Sequence, residues 1–322
     1  MNKTRNLLLS DFAKESHLGY VLFTCASFEK RSVHTLKAFN HKELDWVYIF
    51  TTQISQLAVD NCLEMQSFCE KKFNLYPLIN GNPLSYSKAF NDAVNEAIAR
   101  QQTKLCIDIS TFTHEMLLIL LSIVNKRQNE FECIEFIYLG AKDYSIGDSH
   151  DLKWLSKGCK EIRSVLGYPG LLSPKKQICL IVLVGYEYER AISLINEMEP
   201  DKIVIGYGKI EAGHVLSSNH IEPMRHFENI HKTWLASRSN IDKFDFSVKD
   251  VESTINAIEE KIKEDDQYDY IIVPMNTKTS TLAVGLLALE NKTIQVSYAE
   301  PEMYNIENYS LPGEQIVIYK LK

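Results

Sequence analysis

The second half of this chain repeats the first, and that repeat constrains the fold more than any other feature. Residues 20–39 read YVLFTCASFEKRSVHTLKAF, and residues 178–198 read ICLIVLVGYEYERAISLINEM. Each has an apolar run, a small residue (Ser27, Gly185), and an aromatic followed by Glu (Phe28-Glu29, Tyr186-Glu187). An Arg (Arg31, Arg190) then opens a helical pattern, with one extra residue in the second copy. Further on, KLCIDISTFTHEMLLILLSIV (104–124) echoes DYIIVPMNTKTSTLAVGLLAL (269–289). IEFIYLGAKDYSI (134–146) aligns without gaps with IQVSYAEPEMYNI (294–306), sharing Ile134/Ile294, Tyr138/Tyr298, Tyr144/Tyr304 and Ile146/Ile306. Matched segments in the same order read as an internal duplication. The length of 322 residues agrees, since it is about two domains at roughly 150 residues each.

Apolar runs of five to eight residues alternate with helical patterns. Strands are expected at 20–25, 46–51, 105–109 and 134–139, then at 178–184, 202–206, 270–274 and 294–298. Helices are expected at 30–39, 53–72, 85–100 and 113–126, then at 188–198, 223–237, 248–264 and 278–290. Continuously apolar strands point to parallel sheets covered on both faces. The alternation points to α/β architecture, two tandem Rossmann-like, doubly wound halves. The expected boundaries are 1–150 for the first half, 151–176 for a linker and 177–322 for the second half. Residues 147–176 hold Gly147, Gly158, Gly167, Pro169, Gly170 and Pro174 and have no long apolar period.

Several function classes lose support. The formal charge of −7 gives no support for binding long nucleic acid or anionic membranes through net charge. The apolar run Met116 to Val124 is too short to span a bilayer, and Leu7-Leu8-Leu9 is too short for a secretory leader. Seven scattered cysteines without a C-x-x-C read as reduced core residues of a cytoplasmic protein. His214, His220, His226 and His231 are spaced by six, six and five, off one helical face and without a cysteine, so no metal site is expected. Gly206-Tyr207-Gly208 lacks the third glycine of a dinucleotide fingerprint, so no cofactor is expected either.

In an open parallel sheet, ligands bind beyond the carboxyl ends of the strands, where strand order reverses. The loops after the strands are therefore the candidate site. After the first strand stand Phe28, Glu29 and Arg31, or Tyr186, Glu187 and Arg190. Arg offers a planar fork of donors for phosphate, and a helix start adds backbone N–H groups. The alternative is a Glu–Arg pair capping the helix with the aromatic packed inward. After the third expected strand of each half stand Ser110 and Thr111, or Asn276, Thr277 and Lys278, groups able to hold ribose or phosphate. Asp108 and His114 can form an acid/base pair, with Glu29 as a further carboxylate; the alternative is a capped turn in which Asp108 holds backbone amides. Tyr138 and Tyr298 can stack on a base, or form an amphipathic aromatic rim.

These loops resemble those of the CARF and SAVED domains of prokaryotic defence systems, Rossmann-like modules that sense cyclic oligonucleotides. The turn from Asp108 to His114 is similar to the family's later loop without its glycines and with His in place of Lys; Met275-Asn276-Thr277-Lys278-Thr279 keeps the Lys. The resemblance implies a nucleotide-type ligand-sensing module of an antiviral defence system. No nuclease, TIR or protease motif accompanies it, so its signal is expected to pass to a separately encoded effector. On this reading, removing Arg31 and Arg190 together abolishes ligand binding without unfolding the protein. Two alternatives stay open: an enzyme hydrolysing a nucleotide or other phosphate-bearing substrate through Asp108, His114 and Glu29, and a non-catalytic protein-binding scaffold.

Overall fold

A computed structural model of the chain describes residues 3–40, 42–144, 154–186, 188–209, 240–263 and 267–322. Two compact units divide it. Unit 1 is Met1–Lys142 with Ser310–Lys322, and unit 2 is Asp143–Tyr309.

Unit 1 holds β1 (Thr4–Leu8), β2 (Tyr20–Ala26), β3 (Trp46–Thr51), β4 (Phe73–Pro77), β5 (Lys104–Asp108), the long β6 (Cys133–Tyr144) that leads out of it, and β15 (Ser310–Lys320). Its helices are α1 (Leu9–Phe12), α2 (Arg31–Ala38), α3 (Gln56–Phe68), α4 (Pro83–Ala99) and α5 (His114–Lys126). The sheet order is β1-β15-β6-β5-β2-β3-β4. The chain moves from β2 outward through β3 to β4, returns to β5 on the other side of β2, and moves out to β6, all in parallel. The reversal lies between β2 and β5. Side chains of one strand alternate between faces. On β2, Leu22 and Ala26 join a core with Val33, Leu36 and Met65 of α2 and α3. Phe23, one residue on, meets Tyr48 and Phe50, and Phe50 meets Phe90 of α4. Both faces are therefore covered, which is why these strands read as unbroken apolar runs.

Unit 2 repeats this order. It holds β7 (Ser156–Lys157), β8 (Glu161–Pro169), β9 (Gln177–Val184), β10 (Lys202–Lys209), β11 (Ile241–Ser247), β12 (Tyr268–Pro274), β13 (Gln295–Glu300) and β14 (Met303–Tyr304). Its described helices are α6 (Tyr188–Met198), α7 (Val251–Lys263) and α8 (Lys278–Glu290). The main sheet runs β11-β10-β9-β12-β13-β8, with β9 to β13 parallel and β8 antiparallel to β13. Its reversal lies between β9 and β12. The segments paired in the sequence thus occupy equivalent places: β2-α2 with β9-α6, β5-α5 with β12-α8, and β6 with β13.

The boundaries differ from the sequence reading in two ways. Residues 156–169, expected in a linker, form β7 and β8 of unit 2. Residues 310–322, expected in the second half, complete unit 1: Thr4 pairs with Tyr319 and Leu8 with Gln315. Strands β1, β4, β8, β11 and β15 were not expected. They lie at or near sheet margins and carry charged or exposed residues, so their apolar signal is interrupted. The expected helix 223–237, Glu187 and the four spaced histidines lie outside the described residues. All seven cysteines are free thiols. No helix among the described residues is long and apolar enough to cross a membrane.

Candidate functional site

At the reversal point of unit 1, the loop after β2 turns inward. Arg31, the first residue of α2, is 2 % exposed, and Glu29 is 8 % exposed. Arg31 Nε and Nη2 donate to the two oxygens of Glu29 at 2.9 and 3.0 Å, a bidentate pair. Arg31 Nη1 donates to the Leu139 carbonyl at 3.1 Å, and the guanidinium lies 5.6 Å from the centre of the Tyr138 ring. Ser310 Oγ, from β15, donates to Glu29 at 2.6 Å. Phe28 is buried. Arg31 was expected to hold a phosphate; here its fork is taken by Glu29 and β6, with the aromatic inward.

The turn after β5 is equally self-contained. Asp108 is fully buried. Its carboxylate accepts from the Ser110 amide at 3.0 Å, the Ser110 hydroxyl, and Thr24 Oγ1 at 3.3 Å. Burial pushes its carboxyl up to about 6, against the opposing pull of the Ser110 hydroxyl and amide and of the Arg31 charge. Ser110 Oγ in turn accepts from Leu139 N at 2.8 Å, and Thr111 Oγ1 donates to the Cys25 carbonyl. These hydroxyls stitch the ends of β2, β5 and β6 together. Thr113 caps α5, accepting from Met116 N at 3.1 Å. His114, half-buried, is the first residue of that helix.

Unit 2 builds the same place differently. Thr277 caps α8, accepting from Ser280 N at 3.2 Å, and Lys278 is its first residue. The two capping threonines bring Lys278 to the position of His114, with two residues between strand and cap after β12 and four after β5. Asn276, Thr277 and Lys278 are half-buried rather than sealed. Asn276 Nδ2 donates to the Val184 carbonyl at 2.6 Å, and its Oδ1 accepts from Thr277 N at 2.9 Å, tying the end of β9 to the start of α8. Two glycines make this approach possible. A Cβ on Gly185 would lie 2.1 Å from the Met275 carbonyl oxygen, and one on Gly208 would lie 2.5 Å from Val248 Cγ1 and 3.1 Å from Asn276 Nδ2. Tyr186 is half-buried beside Gly185, and Arg190, on α6, is buried.

The two tyrosines expected to stack on a base are both buried, each beneath a guanidinium. Tyr138 lies under Arg31, as above. The Tyr298 ring has Arg163 of β8 at 5.7 Å, and its hydroxyl lies 3.5 Å from that of Tyr304. Arg163 is held by Glu300 at 2.6 Å, and Lys160 reaches the same carboxylate at 3.0 Å. Burial pushes Glu300 up, but these two cations outweigh it and keep its carboxyl below the usual range.

Part of the expected set gathers at each reversal point, while Tyr298 lies on β13 beneath Arg163 and Arg190 lies on α6. Phe28, Glu29, Arg31, Asp108, Ser110, Thr111 and Tyr138 come together in unit 1 with their polar groups turned to one another. Tyr186, Asn276, Thr277 and Lys278 come together in unit 2 on a more open turn. Sequence reasoning missed Ser310, Arg163 and the two crowding glycines. Both glycines carried a signal of another kind, Gly185 as the small residue after an apolar run and Gly208 in the incomplete dinucleotide fingerprint Gly206-Tyr207-Gly208. No group of metal-ligating side chains is present among the described residues.

No family model matches this chain, and no curated protein matches it. Among solved structures it is similar to a Type III CRISPR defence DNA nuclease activated by cyclic oligoadenylate, with a TM-score of 0.55 and 7 % sequence identity over 91 % of this chain and 67 % of that one. The N-domain of a bacterial malonyl-CoA reductase with NADP scores 0.25, at 10 % identity over 85 % of this chain and 78 % of that one. A protein solved with NADP+ and (+)-pinoresinol scores 0.28, at 11 % identity over 73 % and 81 %. Scores of that size carry no argument about this chain. At 7 % identity the first likeness speaks to architecture alone: this chain has a Rossmann-like α/β fold like that of a cyclic-oligoadenylate-activated CRISPR defence nuclease.

Proposed function

We propose that this protein is a nucleotide-sensing module of a prokaryotic antiviral defence system. Its ligand would be of the cyclic oligoadenylate class, and its output would pass to a partner protein. The observation that carries the reading is the open turn of unit 2. There Lys278 and the N-terminal turn of α8, whose Ser280 N–H is capped by Thr277, sit at the point of strand reversal. A phosphate fits this place by charge and by donor geometry. Asn276 and Thr277 position the turn, and Tyr186 stands beside it as the base-facing aromatic. The fold shared with a nuclease activated by such a ligand supports the ligand class. A sensor is favoured over a hydrolase because Asp108 and Glu29 are sealed and already hydrogen-bonded. Ser110, Thr111 and Arg31 support the scaffold of unit 1 in this reading, and Arg190 the start of α6.

The test is a thermal-shift titration with linear and cyclic oligoadenylates, with chromatography of the ligand afterwards. Ligand at 100 times its Kd adds roughly 2.7 kcal/mol. A shift with the ligand recovered intact is expected, and Lys278→Ala should remove it while leaving the unliganded melting temperature in place. Consumption of the ligand supports the enzyme instead. Absence of any shift across the panel rejects the sensor.

A further inference from the structure

The antiparallel margins of the two sheets come from unexpected places in the chain. β6 is the last parallel strand of unit 1, yet β8, the next long strand after it, lies in unit 2 against β13. β13 is the last parallel strand of unit 2, yet β15, which follows it, lies in unit 1 between β6 and β1. We propose that β8 and β15 are reciprocally donated strands. Each then fits one partner, the complementary half of this chain, and a chain cut in the loop 170–176 stays assembled.

The grip of the first half on the second runs through residues 156–169. Tyr298 pairs with Arg163, Ala299 with Ile162 and Glu300 with Glu161. Lys160 N donates to the Glu300 carbonyl at 2.8 Å, and β7 pairs with β14. Val165 and Tyr168 are buried. The Arg163 guanidinium is shared among the Glu300 and Glu161 carboxylates and the Tyr298 ring. The grip of the second half on the first runs through β15. It pairs with β1 over five residues and buries Ile316, Val317, Ile318 and Tyr319. Its Ser310 reaches Glu29. The loop itself is anchored by its first part, where Leu171 N donates to the Thr293 carbonyl at 3.5 Å and Ser173 N donates to the buried Asp269 carboxylate, and it is exposed beyond. Leu171 is 68 % exposed, Leu172 is 41 % exposed, and Pro174, Lys175 and Lys176 are exposed. A cut between Pro174 and Lys175 falls across two local hydrogen bonds, Lys175 N and Lys176 N to Ser173, and leaves the anchored residues 171–173 on the first piece.

The experiment co-expresses tagged residues 1–174 with untagged 175–322. Capture of both in equal amounts, eluting from size exclusion where the intact chain does, is expected. Shortening the second piece to 175–309 removes β15 and should weaken capture at least about a hundredfold, given four buried side chains lost. Equal capture with and without β15 overturns the proposal. Where the separate pieces fail to fold, a protease site placed between Pro174 and Lys175 of the whole chain is cut after purification. One native peak holding two denatured bands is expected, and two native peaks overturn the proposal.

Discussion

Arg31→Met tests the placement of the unit 1 ion pair most directly. Met keeps much of the stem volume and removes the fork. Glu29 is left as a buried carboxylate, and the Leu139 carbonyl loses a donor at 3.1 Å. Breaking a buried pair by removing one partner costs about 3–5 kcal/mol, because the other charge stays desolvated and uncompensated. In a unit of this size, 1 kcal/mol moves a melting temperature by roughly 2–4 °C, so the shift should reach about 6–20 °C. Glu29→Gln with Arg31→Met replaces both charges and should recover most of the loss, leaving about 1–2 kcal/mol from the remaining unmet polar groups. Differential scanning calorimetry of the wild type, both single variants and the double gives the coupling energy directly. A single-variant shift below about 2 °C would refute the reasoning. Arg31 would then be a solvent-facing group, available to a ligand after all.

Asp108→Asn should flatten the acid-side stability profile of unit 1. With the folded carboxyl raised to about 6, the native state holds its proton more tightly than the unfolded state, so stability falls as pH rises from about 4 to 6, by roughly 3 kcal/mol. Urea midpoints across that range that decline equally in both proteins would count against it. His17 works with the opposite sign. Its ring nitrogens are buried without hydrogen-bond partners among Phe12, Phe39 and Tyr20, and burial lowers its pKa despite Glu15 and Glu43 nearby. Its contribution is present above about 6.5 and lost as pH falls, so His17→Phe should reduce acid sensitivity in the same urea series. Gly185→Ala should destabilise unit 2 by at least about 1–3 kcal/mol, because the nearest atom is backbone. Gly140→Ala, whose nearest neighbour lies at 3.6 Å, is the control and should shift the melting point little.

The legible part of the fold was the part buried on both faces. Strands such as Tyr20–Ala26 and Gln177–Val184 are continuous apolar runs because helices cover them twice, so sequence alone marks them. Marginal strands such as Ile241–Ser247 (IDKFDFS) have one neighbour and a wet side, and their charges erase that mark. The candidate loops were legible by position, since the residues after the central strands lie at the reversal points. Their employment was not. Glu29 and Arg31 are two residues apart, but Leu139 and Ser310, which complete their bonding, are distant in sequence. No local pattern says whether an Arg at a helix start will meet a ligand or a carbonyl across the sheet. The difference between a sealed Ser110 and a half-open Asn276 is likewise a matter of packing, invisible in residue type.

The pairing of Thr4 with Tyr319 has a consequence for biosynthesis. The ribosome makes β1 before unit 2 and its partner β15 after it. At about 5–20 residues per second, the intervening unit 2 takes on the order of 10–30 s to emerge. Unit 2 is one continuous stretch, Asp143–Tyr309, and is complete in sequence before β15 appears. The domain made first is thus the domain finished last, waiting on the nascent chain with the margins of β1 and β6 uncovered. A stop codon at position 310 would leave unit 2 whole and would open unit 1, although the lesion lies a whole domain downstream of most of the unit it damages.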